Sequence, residues 1–381
     1  MDEEKLYTYK NENSDTQYDH LENLLNEKYQ LVYNIILNEY EIGLKESSKT
    51  YKLNEYSLLI ELNRKGINLR IQTLEIYLKS SFVKDYDPIK NYFFKLSKWD
   101  NIDYIKKLSS YVRTNDDEFF YYHFKKWLVR TVKCALVPNY FNKNAFVLFH
   151  KDQNGGKTTF CRFLCPPELN NYIAENPSYD KDGIIQITQN LIINLDELDK
   201  ISKKDLDSYK TLMSKTQINL RLPYGKTNTV RMRCASFVGS GNETTFLNDP
   251  TGSVRWIINE LLEMIDFNYS KDIDINDVWR QAYYLAFIDK SFNSELTIED
   301  VNIIQKKNKE LEPMSHEEEL IIKYFIESDS KDHFITTTDI VKILQEMKYR
   351  VNTIPIGKAL RKLNIQRIKH KSVYGYLLKK I

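Results

Sequence analysis

A short apolar run followed by a polar, glycine-containing loop is the stretch of this sequence best suited to chemistry. The run covers residues 146–149, and the loop ends in Gly156-Lys157-Thr158. Strand, loop and helix in this order form a phosphate-binding loop, whose lysine reaches the β and γ phosphates and whose hydroxyl binds Mg²⁺. The sequence therefore predicts a nucleotide site. Its candidate residues are Asn154, Gly155, Gly156, Lys157, Thr158 and Thr159.

Position 151 is where the loop departs from the usual pattern. The first glycine of G-x-x-x-x-G-K-[ST] is Lys151 here, so only the second half of the motif matches. Asn154 compensates in part for the missing glycine, because asparagine adopts left-handed backbone more readily than other non-glycine residues. Taken alone, the stretch is either a nucleotide-binding loop or a plain Gly-Gly turn.

A second apolar run, residues 191–195, ends in two adjacent carboxylates, Asp196 and Glu197. A buried strand here brings Asp196 to the magnesium ion opposite Thr158. Glu197 then lies where it can polarise an attacking water as a general base. An isolated acidic pair at a strand end is usually the start of a solvated loop, but the preceding phosphate loop favours the catalytic interpretation.

Two further polar residues complete the predicted site. Asn242 ends an apolar run, where its amide can orient the same water next to the γ-phosphate. Arg255 lies on an exposed turn and supplies one cation to stabilise charge on the transferred phosphoryl group. It follows Asn242 by only 13 residues on a short turn, so we expect it to serve the site of a neighbouring subunit.

The charge of the chain is unevenly distributed. The 381 residues (45.3 kDa) suffice for two or three domains and carry a net charge of +2. Residues 331–381 hold 12 basic and 3 acidic side chains, which leaves about −7 for the rest. A basic C-terminal domain predicts a surface that faces nucleic acid.

The sequence also indicates where the protein resides. It shows no signal peptide and no apolar run of about 18 residues, which predicts an intracellular, cytoplasmic protein without membrane contact. The four cysteines form no C-x-x-C pair and do not cluster with histidine. This spacing disfavours a zinc site or a disulfide framework. We expect all four to be small buried hydrophobic residues.

Apolar spacing divides the chain into regions. Residues 1–136 show helical spacing, including a long first helix from Asp19 to about Tyr40, and predict a helical N-terminal or collar region. Short apolar runs then alternate with helices and predict a three-layer α/β nucleotide-binding domain over residues 137–305. The runs expected to form strands after the loop are 184–187, 191–195 and 234–238, and a polar linker is expected at 306–313.

The last region, residues 315–381, shows three helical stretches followed by two strand-like runs. Three helices and a hairpin, with basic residues on the last helix and turn, are the layout of a winged helix. The residues predicted to face DNA are Lys358, Arg361, Lys362, Arg367, Lys369 and Lys371. A winged helix that docks on protein, with a solvated basic surface, is the alternative.

Several of these motifs resemble, in order and spacing, the virulence-associated protein E family. They are Asp87-Pro88 with Tyr92, Trp99-Asp100, Trp127-Leu128, Gly156-Lys157-Thr158, Asp196-Glu197, Lys210, residues 221–225, Asn242 and residues 252–256. The resemblance covers roughly residues 85–290 and implies a superfamily 3 helicase-type ATPase carried on phages, satellites and other mobile elements. The family has glycine at 151 and 154, and two arginines where this chain has Val254-Arg255.

Residues 218–233 alternate apolar and polar side chains around Pro223-Tyr224-Gly225-Lys226, which predicts a hairpin with a cationic tip. The resemblance implies that such a hairpin points into a central pore and grips single-stranded DNA. Lys226 would contact phosphate and Tyr224 would stack on a base. A structural turn with an incidental lysine is the alternative.

The predicted fold class is thus α/β, an AAA+-type P-loop ATPase core with a helical N-terminal domain and a C-terminal winged helix. The resemblance implies an ATP-dependent DNA helicase or translocase that acts as a ring, with a hexamer expected. ATP and Mg²⁺ are the expected cofactors. The expected partners are single-stranded and double-stranded DNA, further copies of the chain, and a separate primase or initiator.

Two other functions stay open at this point. One is a nucleotide-regulated DNA-binding initiator or regulator without processive unwinding. The other is an NTPase that serves as a defence sensor or effector scaffold, for which the sequence contains no recognisable effector domain. The intact Asp196, Glu197 and Asn242 favour the enzyme.

Overall fold

A computed structural model describes residues 16–47, 49–221, 227–247 and 253–381. The chain divides into two compact units, one up to Lys309 and one from Glu310 to the end. No helix in the described ranges is both long enough and apolar enough to cross a bilayer. All four cysteines are buried, as the sequence predicts.

The first region is a mixture of helices and strands, and the prediction that it is wholly helical is wrong. Its elements are α1 (Gln17–Lys28), β1 (Tyr29–Asn34), β2 (Glu39–Leu44), β3 (Tyr51–Lys52), α2 (Glu55–Arg64), α3 (Ile71–Leu78) and β4 (Lys84–Tyr86). The strands form one sheet in the order β3-β2-β1-β4. The expected helix to Tyr40 therefore ends at Lys28 and is replaced by a hairpin.

The hairpin begins directly after Lys28, although the apolar residues that follow also fit helical spacing. In β1 the residues Val32 and Asn34 are buried and alternate with more accessible neighbours, which is the period of a strand. β1 pairs with β2 in antiparallel register, Tyr29 opposite Leu44. Over a short run, apolar residues can fit both the helical and the strand period, so their spacing alone does not decide between a helix and a strand.

Helices α4 (Pro88–Lys95), α5 (Tyr104–Ser109) and α6 (Asp117–Leu136) complete the part of the chain before the central sheet, where the sequence predicts helices. Each begins after an aspartate whose carboxylate accepts a hydrogen bond from the N–H three residues further on. Such caps satisfy N–H groups that the first helical turn leaves without partners. Local sequence signals therefore determine these boundaries.

A five-stranded parallel sheet forms the centre of the first unit. Its strands are β5 (Ala145–Phe149), β6 (Ile173–Glu175), β7 (Ile192–Leu195), β10 (Ser236–Gly241) and β11 (Trp256–Glu260), in the order β11-β5-β10-β7-β6. Every residue of β5, β7 and β10 is buried. Continuous apolar runs of this kind are typical of parallel strands that are covered on both faces.

The remaining elements of this unit surround the sheet or extend from it. They are α7 (Lys157–Phe163), α8 (Lys181–Gln186), α9 (Lys203–Met213), β8 (Gln217–Arg221), β9 (Asn228–Met232), α10 (Tyr269–Asp272), α11 (Ile275–Phe287) and α12 (Ile298–Glu310). β8 and β9 pair as the predicted antiparallel hairpin. Its tip, with Tyr224 and Lys226, lies outside the described residues.

Two predictions for this part of the chain are wrong. Residues 184–186 belong to α8 and Ile187 is its C-cap, because Asp180 caps a helix start there through the N–H groups of Asp182 and Gly183. The expected linker at 306–313 is helical up to Glu310, because α12 packs on the sheet. The buried amide of Asn308 donates a 2.9 Å hydrogen bond to the carbonyl of Trp256.

The second unit contains the three predicted helices and the predicted hairpin. Its elements are α13 (His316–Tyr324), β12 (Phe325–Glu327), β13 (Phe334–Ile335), α14 (Thr337–Glu346), α15 (Thr353–Lys362), β14 (Ile368–His370) and β15 (Val373–Lys380). β15 pairs antiparallel with β12, β13 and β14. The short strands β12 and β13 have no clear signal in the sequence. A separate apolar core, centred on Ile340, Leu344 and Leu360, holds this unit together.

Candidate active site

Three neighbouring strands of the central sheet bring the predicted site residues together. β10 lies between β5 and β7, with Gly239 opposite both Val147 and Leu195. Because parallel strands end at the same edge of a sheet, the segments that follow these three strands meet there. They line a cavity of about 400 Å³. Its walls are Gln153, Asn154, Gly155, Gly156, Lys157, Thr158, Thr159, Asp196, Glu197, Ser240, Gly241, Asn242 and Phe267.

The loop after β5 has the backbone of a tight turn despite the lysine at position 151. Asn154 has a φ of 62° and Gly156 a φ of 83°, so both residues are left-handed. The sequence predicts this role for Asn154, because its side chain is tolerated in that region. His150 Nδ1 accepts a hydrogen bond of 3.2 Å from the N–H of Asp152, which fixes the start of the loop.

Lys157 is at the centre of the cavity and is only 7% exposed. Its Nζ donates to Asn242 Oδ1 at 2.9 Å, to the carbonyl of Asp152 at 3.1 Å and to that of His150 at 3.3 Å. Burial lowers the pKa of Lys157, while the carboxylate of Asp199 acts in the opposite direction. The ammonium group is thus a partly desolvated cation held by neutral oxygens, an arrangement suited to an anionic ligand.

Thr158 and Asp196 are in direct contact, with Thr158 Oγ1 donating to Asp196 Oδ1 at 2.8 Å. Ser240 donates to the same carboxylate oxygen. Hydroxyl and carboxylate oxygens are the ligands that Mg²⁺ prefers, so these residues fit the predicted metal position. Among the described residues no group of three or more His, Cys, Asp or Glu could hold a metal by itself. Any magnesium ion here needs further oxygens from ligand and water.

Glu197 lines the cavity, but its carboxylate is engaged elsewhere. The residue has a left-handed φ of 54°, and its Oε1 forms an ion pair of 2.5 Å with Lys200. Left-handed backbone is uncommon for a glutamate and occurs mostly at functional turns. The side chain is half-exposed and can therefore change its orientation without disturbing the core.

Asn242 is held in place from both ends. Its backbone N–H donates to Asp199 Oδ1 at 2.8 Å, and its side-chain oxygen accepts the bond from Lys157. The side-chain oxygen of Asn242 therefore faces the loop. The sequence did not single out Asp199, which holds the backbone of Asn242. Its only signal is its place three residues after Asp196.

Arg255 lies at the amino-terminal ends of the sheet strands, whereas the cavity lies at their carboxyl ends. It ends the short 3₁₀ turn Ser253–Arg255 directly before β11, where Trp256 pairs with Ala145 at the start of β5. The length of a five-residue strand, about 15 Å, separates this position from the loop that follows β5. The guanidinium donates to Ser214 Oγ at 3.4 Å. Arg255 is thus not brought together with the other candidate residues of its own chain.

Arg231 and Arg233, the other arginines near this region, have structural partners. Arg233 is 2% exposed and donates to the carbonyls of Met213, Asn142 and Ala235. Arg231 donates to the carbonyls of Ile36 and Ile35, at 2.8 and 3.1 Å. Neither side chain is free to serve as a substitute for Arg255.

The basic residues of the second unit are mostly accessible. Lys358, Arg361, Arg367, Lys369 and Lys371 are exposed. Arg367 and Lys369 lie over the ring of Tyr374, at 4.5 and 5.7 Å from its centroid. Lys362 differs, because its ammonium pairs with Glu312 at 3.3 Å and with Glu318 at 3.4 Å. Its charge is already compensated within the unit.

The geometry can be compared with known proteins. The sequence profile of the virulence-associated protein E-like domain matches residues 94–332. No curated protein matches the chain. Among solved structures, an apo structure of the NrS-1 C-terminal region (305–718) is 14% identical, with a TM-score of 0.53, and the alignment covers 93% of this chain and 97% of that one. A second apo structure of that region, its A form, is also 14% identical, with a TM-score of 0.50 and coverage of 93% and 98%. These likenesses show a shared fold.

Proposed function

The chain belongs to the virulence-associated protein E-like family, and from this premise we propose that it is a DNA helicase or translocase driven by ATP and Mg²⁺ in the replication of a mobile element. One observation carries the proposal. Lys157, Asp196 and Asn242, which follow three adjacent parallel strands, line one cavity together with a loop of left-handed backbone. This combination of cation, carboxylate and amide is what phosphoryl transfer to water requires. The proposed fold is accordingly an AAA+-type P-loop core.

The loop and Lys157 bind the phosphates in this proposal. The ammonium exchanges its bonds with Asn242 and two carbonyls for bonds to phosphate oxygens, which are charged and therefore stronger acceptors. Thr158 and Asp196 would hold a magnesium ion, and its charge would offset that of the phosphates. Positioning and charge stabilisation supply most of the catalysis in this class of reaction.

Glu197 and Asn242 act on the attacking water. Glu197 accepts its proton after leaving Lys200, and Asn242 orients it once Lys157 has turned to the phosphate. Both side chains line the cavity, and each contacts a lysine, Glu197 with Lys200 and Asn242 with Lys157. In this proposal both contacts are exchanged before the two residues act on water.

Arg255 completes the site of a neighbouring subunit in a ring, for which a hexamer is the expected size. Its position at the amino edge of the sheet, about 15 Å from its own loop, supports action between subunits. DNA is gripped by the β8–β9 hairpin within the ring and by the basic residues of the second unit, which we propose is a winged helix.

The test is an ATPase assay with and without single-stranded DNA, run beside a mass measurement of the assembly with Mg²⁺ and nucleotide. Stimulation by DNA together with a ring-sized mass is the expected result. Lys157→Ala is the control for contaminating ATPases. Slow hydrolysis that DNA does not change, from a protein that binds duplex DNA, would contradict the helicase.

A second candidate function is a nucleotide-regulated DNA-binding initiator or regulator. The ion pair of Glu197 with Lys200 is the observation that favours it, because Glu197 has to leave this pair before it can act as a base. In such a protein the bound nucleotide controls assembly and turnover is incidental. Unwinding of a forked duplex separates the two, since only the helicase performs it.

A further inference from the structure

Phe267 is the one large apolar side chain among the described residues that line the nucleotide cavity. It lies in the segment between β11 and α10, and 43% of it is exposed. A Cβ at Gly156 would lie 2.9 Å from Phe267 Cζ, so the ring edge is directly beside the phosphate loop. Glycine therefore suits position 156 for two reasons: its φ is 83°, and a Cβ there would be too close to Phe267.

The ring is held at this place by two sets of contacts. The N–H of Ile265 donates to the carbonyl of Gly155 at 3.1 Å, which joins the segment to the loop itself. On the other side, the ring of Tyr269 lies 6.3 Å from Phe267 and packs edge-on against Phe160 and Phe163 of α7. The accessible part of Phe267 is therefore presented to the cavity by a packed support.

Part of this aromatic ring is exposed beside the phosphate site. Covering exposed apolar area is favourable in water, so a ligand with an apolar surface gains affinity by packing on the ring. The rest of the described lining is polar or glycine and suits phosphates. The non-phosphate part of a nucleotide has one large flat apolar surface, its base, and bases pack well on aromatic side chains.

We propose that Phe267 is the surface against which the base of a bound nucleoside triphosphate packs. This inference rests on the proposed nucleotide site, and it adds the part of the ligand that lies beyond the phosphates. Because every base has an aromatic face, contact with the ring does not by itself distinguish adenine from guanine. Phe267 thus contributes affinity for nucleotides over inorganic polyphosphates.

Equilibrium binding tests this directly. Affinities for ATP, GTP and inorganic tripolyphosphate, each with Mg²⁺, are measured for wild type, Phe267→Ala, Phe267→Tyr and Met264→Ala. Met264 is also exposed in the same segment but does not line the cavity, so it is the matched control. Phe267→Ala should bind ATP and GTP on the order of tenfold more weakly, with tripolyphosphate unchanged. Phe267→Tyr, which keeps the ring, and Met264→Ala should bind like wild type.

Two results would overturn the inference. Unchanged ATP affinity in Phe267→Ala would show that the base does not touch the ring. Equal losses for ATP and tripolyphosphate would show that Phe267 only supports the loop at Gly156. A different result would refute the proposed nucleotide site itself: wild-type protein that binds neither ATP nor tripolyphosphate.

Discussion

Lys157 and Asn242, which follow neighbouring strands of the central sheet, are joined by a 2.9 Å hydrogen bond from Nζ to Oδ1. The bond ties the residue that we expect to bind phosphate to the residue that we expect to orient water. In the proposed mechanism this bond is exchanged when Lys157 turns to a phosphate. The exchange would link nucleotide binding to the release of the Asn242 amide.

Replacing Lys157 by alanine should weaken ATP binding and lower turnover by on the order of 10²-fold or more, since the variant lacks the cation that faces the phosphates. Steady-state ATPase and nucleotide affinity are the measurements. Lys151→Ala, an exposed lysine of the same loop, is the matched control and should stay close to wild type. Near wild-type turnover of Lys157→Ala would refute the phosphate-loop assignment.

Glu197→Gln should bind ATP normally and hydrolyse it at least on the order of 10²-fold more slowly, because an amide cannot accept the proton of the water. Lys200→Gln is the companion variant. It frees Glu197 from the 2.5 Å ion pair and should keep or raise turnover. Single-turnover hydrolysis, with ATP affinity measured separately, distinguishes a change in hydrolysis rate from a change in binding. If Glu197→Gln hydrolyses ATP at the ordinary rate, another group is the base.

Arg255→Ala should bind ATP normally and lose on the order of 10³-fold in rate, as expected for a missing arginine finger. Mixing it with Lys157→Ala tests whether Arg255 acts between subunits. Some interfaces in mixed rings pair an intact loop with an intact arginine, so activity should reappear. Absence of recovery, with subunit exchange shown by labelled chains, would argue against the composite site.

The basic surface of the second unit should control how DNA binding depends on salt. Deleting residues 315–381 should weaken duplex binding and flatten its salt dependence, because this part carries most of the excess positive charge, while ATPase activity should largely survive. In the full chain, Lys369→Ala with Lys371→Ala should lower the salt slope by about one for each lost phosphate contact. Lys362→Ala is the control, since its charge is already paired. An unchanged slope in the deletion would favour a protein-docking role.

Acid should destabilise the protein through His123, a residue 1% exposed in α6. Burial lowers its pKa to about 4, with Arg130, Lys126 and Lys307 acting in the same direction and Asp300 opposing them. Between pH 6.5 and 4 the unfolded chain therefore binds more protons, and stability falls as the pH is lowered. The loss attributable to His123 is about 3 kcal/mol. His123→Phe should show a correspondingly shallower decline in urea unfolding at pH 7 and pH 4.5, and equal declines would refute the assignment.

Local sequence patterns determined much of the candidate site. The apolar runs before Gly156, Asp196 and Asn242 are fully buried strands, and the carboxyl ends of parallel strands lie at one edge of the sheet. Aspartate caps likewise placed α4, α5 and α6. That these residues meet at one cavity could therefore be predicted from residue types and order.

Only the tertiary structure decided the contacts that join distant segments. The bond between Lys157 and Asn242 joins residues that are 85 positions apart in the sequence, and no motif spacing predicts it. Phe267 has no local signal, because its role depends on where the segment after β11 packs. The spacing after Asn242 already suggested that Arg255 serves a neighbouring subunit, but only the fold placed it at the start of β11, away from the loop that follows β5. The hairpin after Lys28 was missed because short apolar runs satisfy both helical and strand periods, and long-range pairing chooses between them.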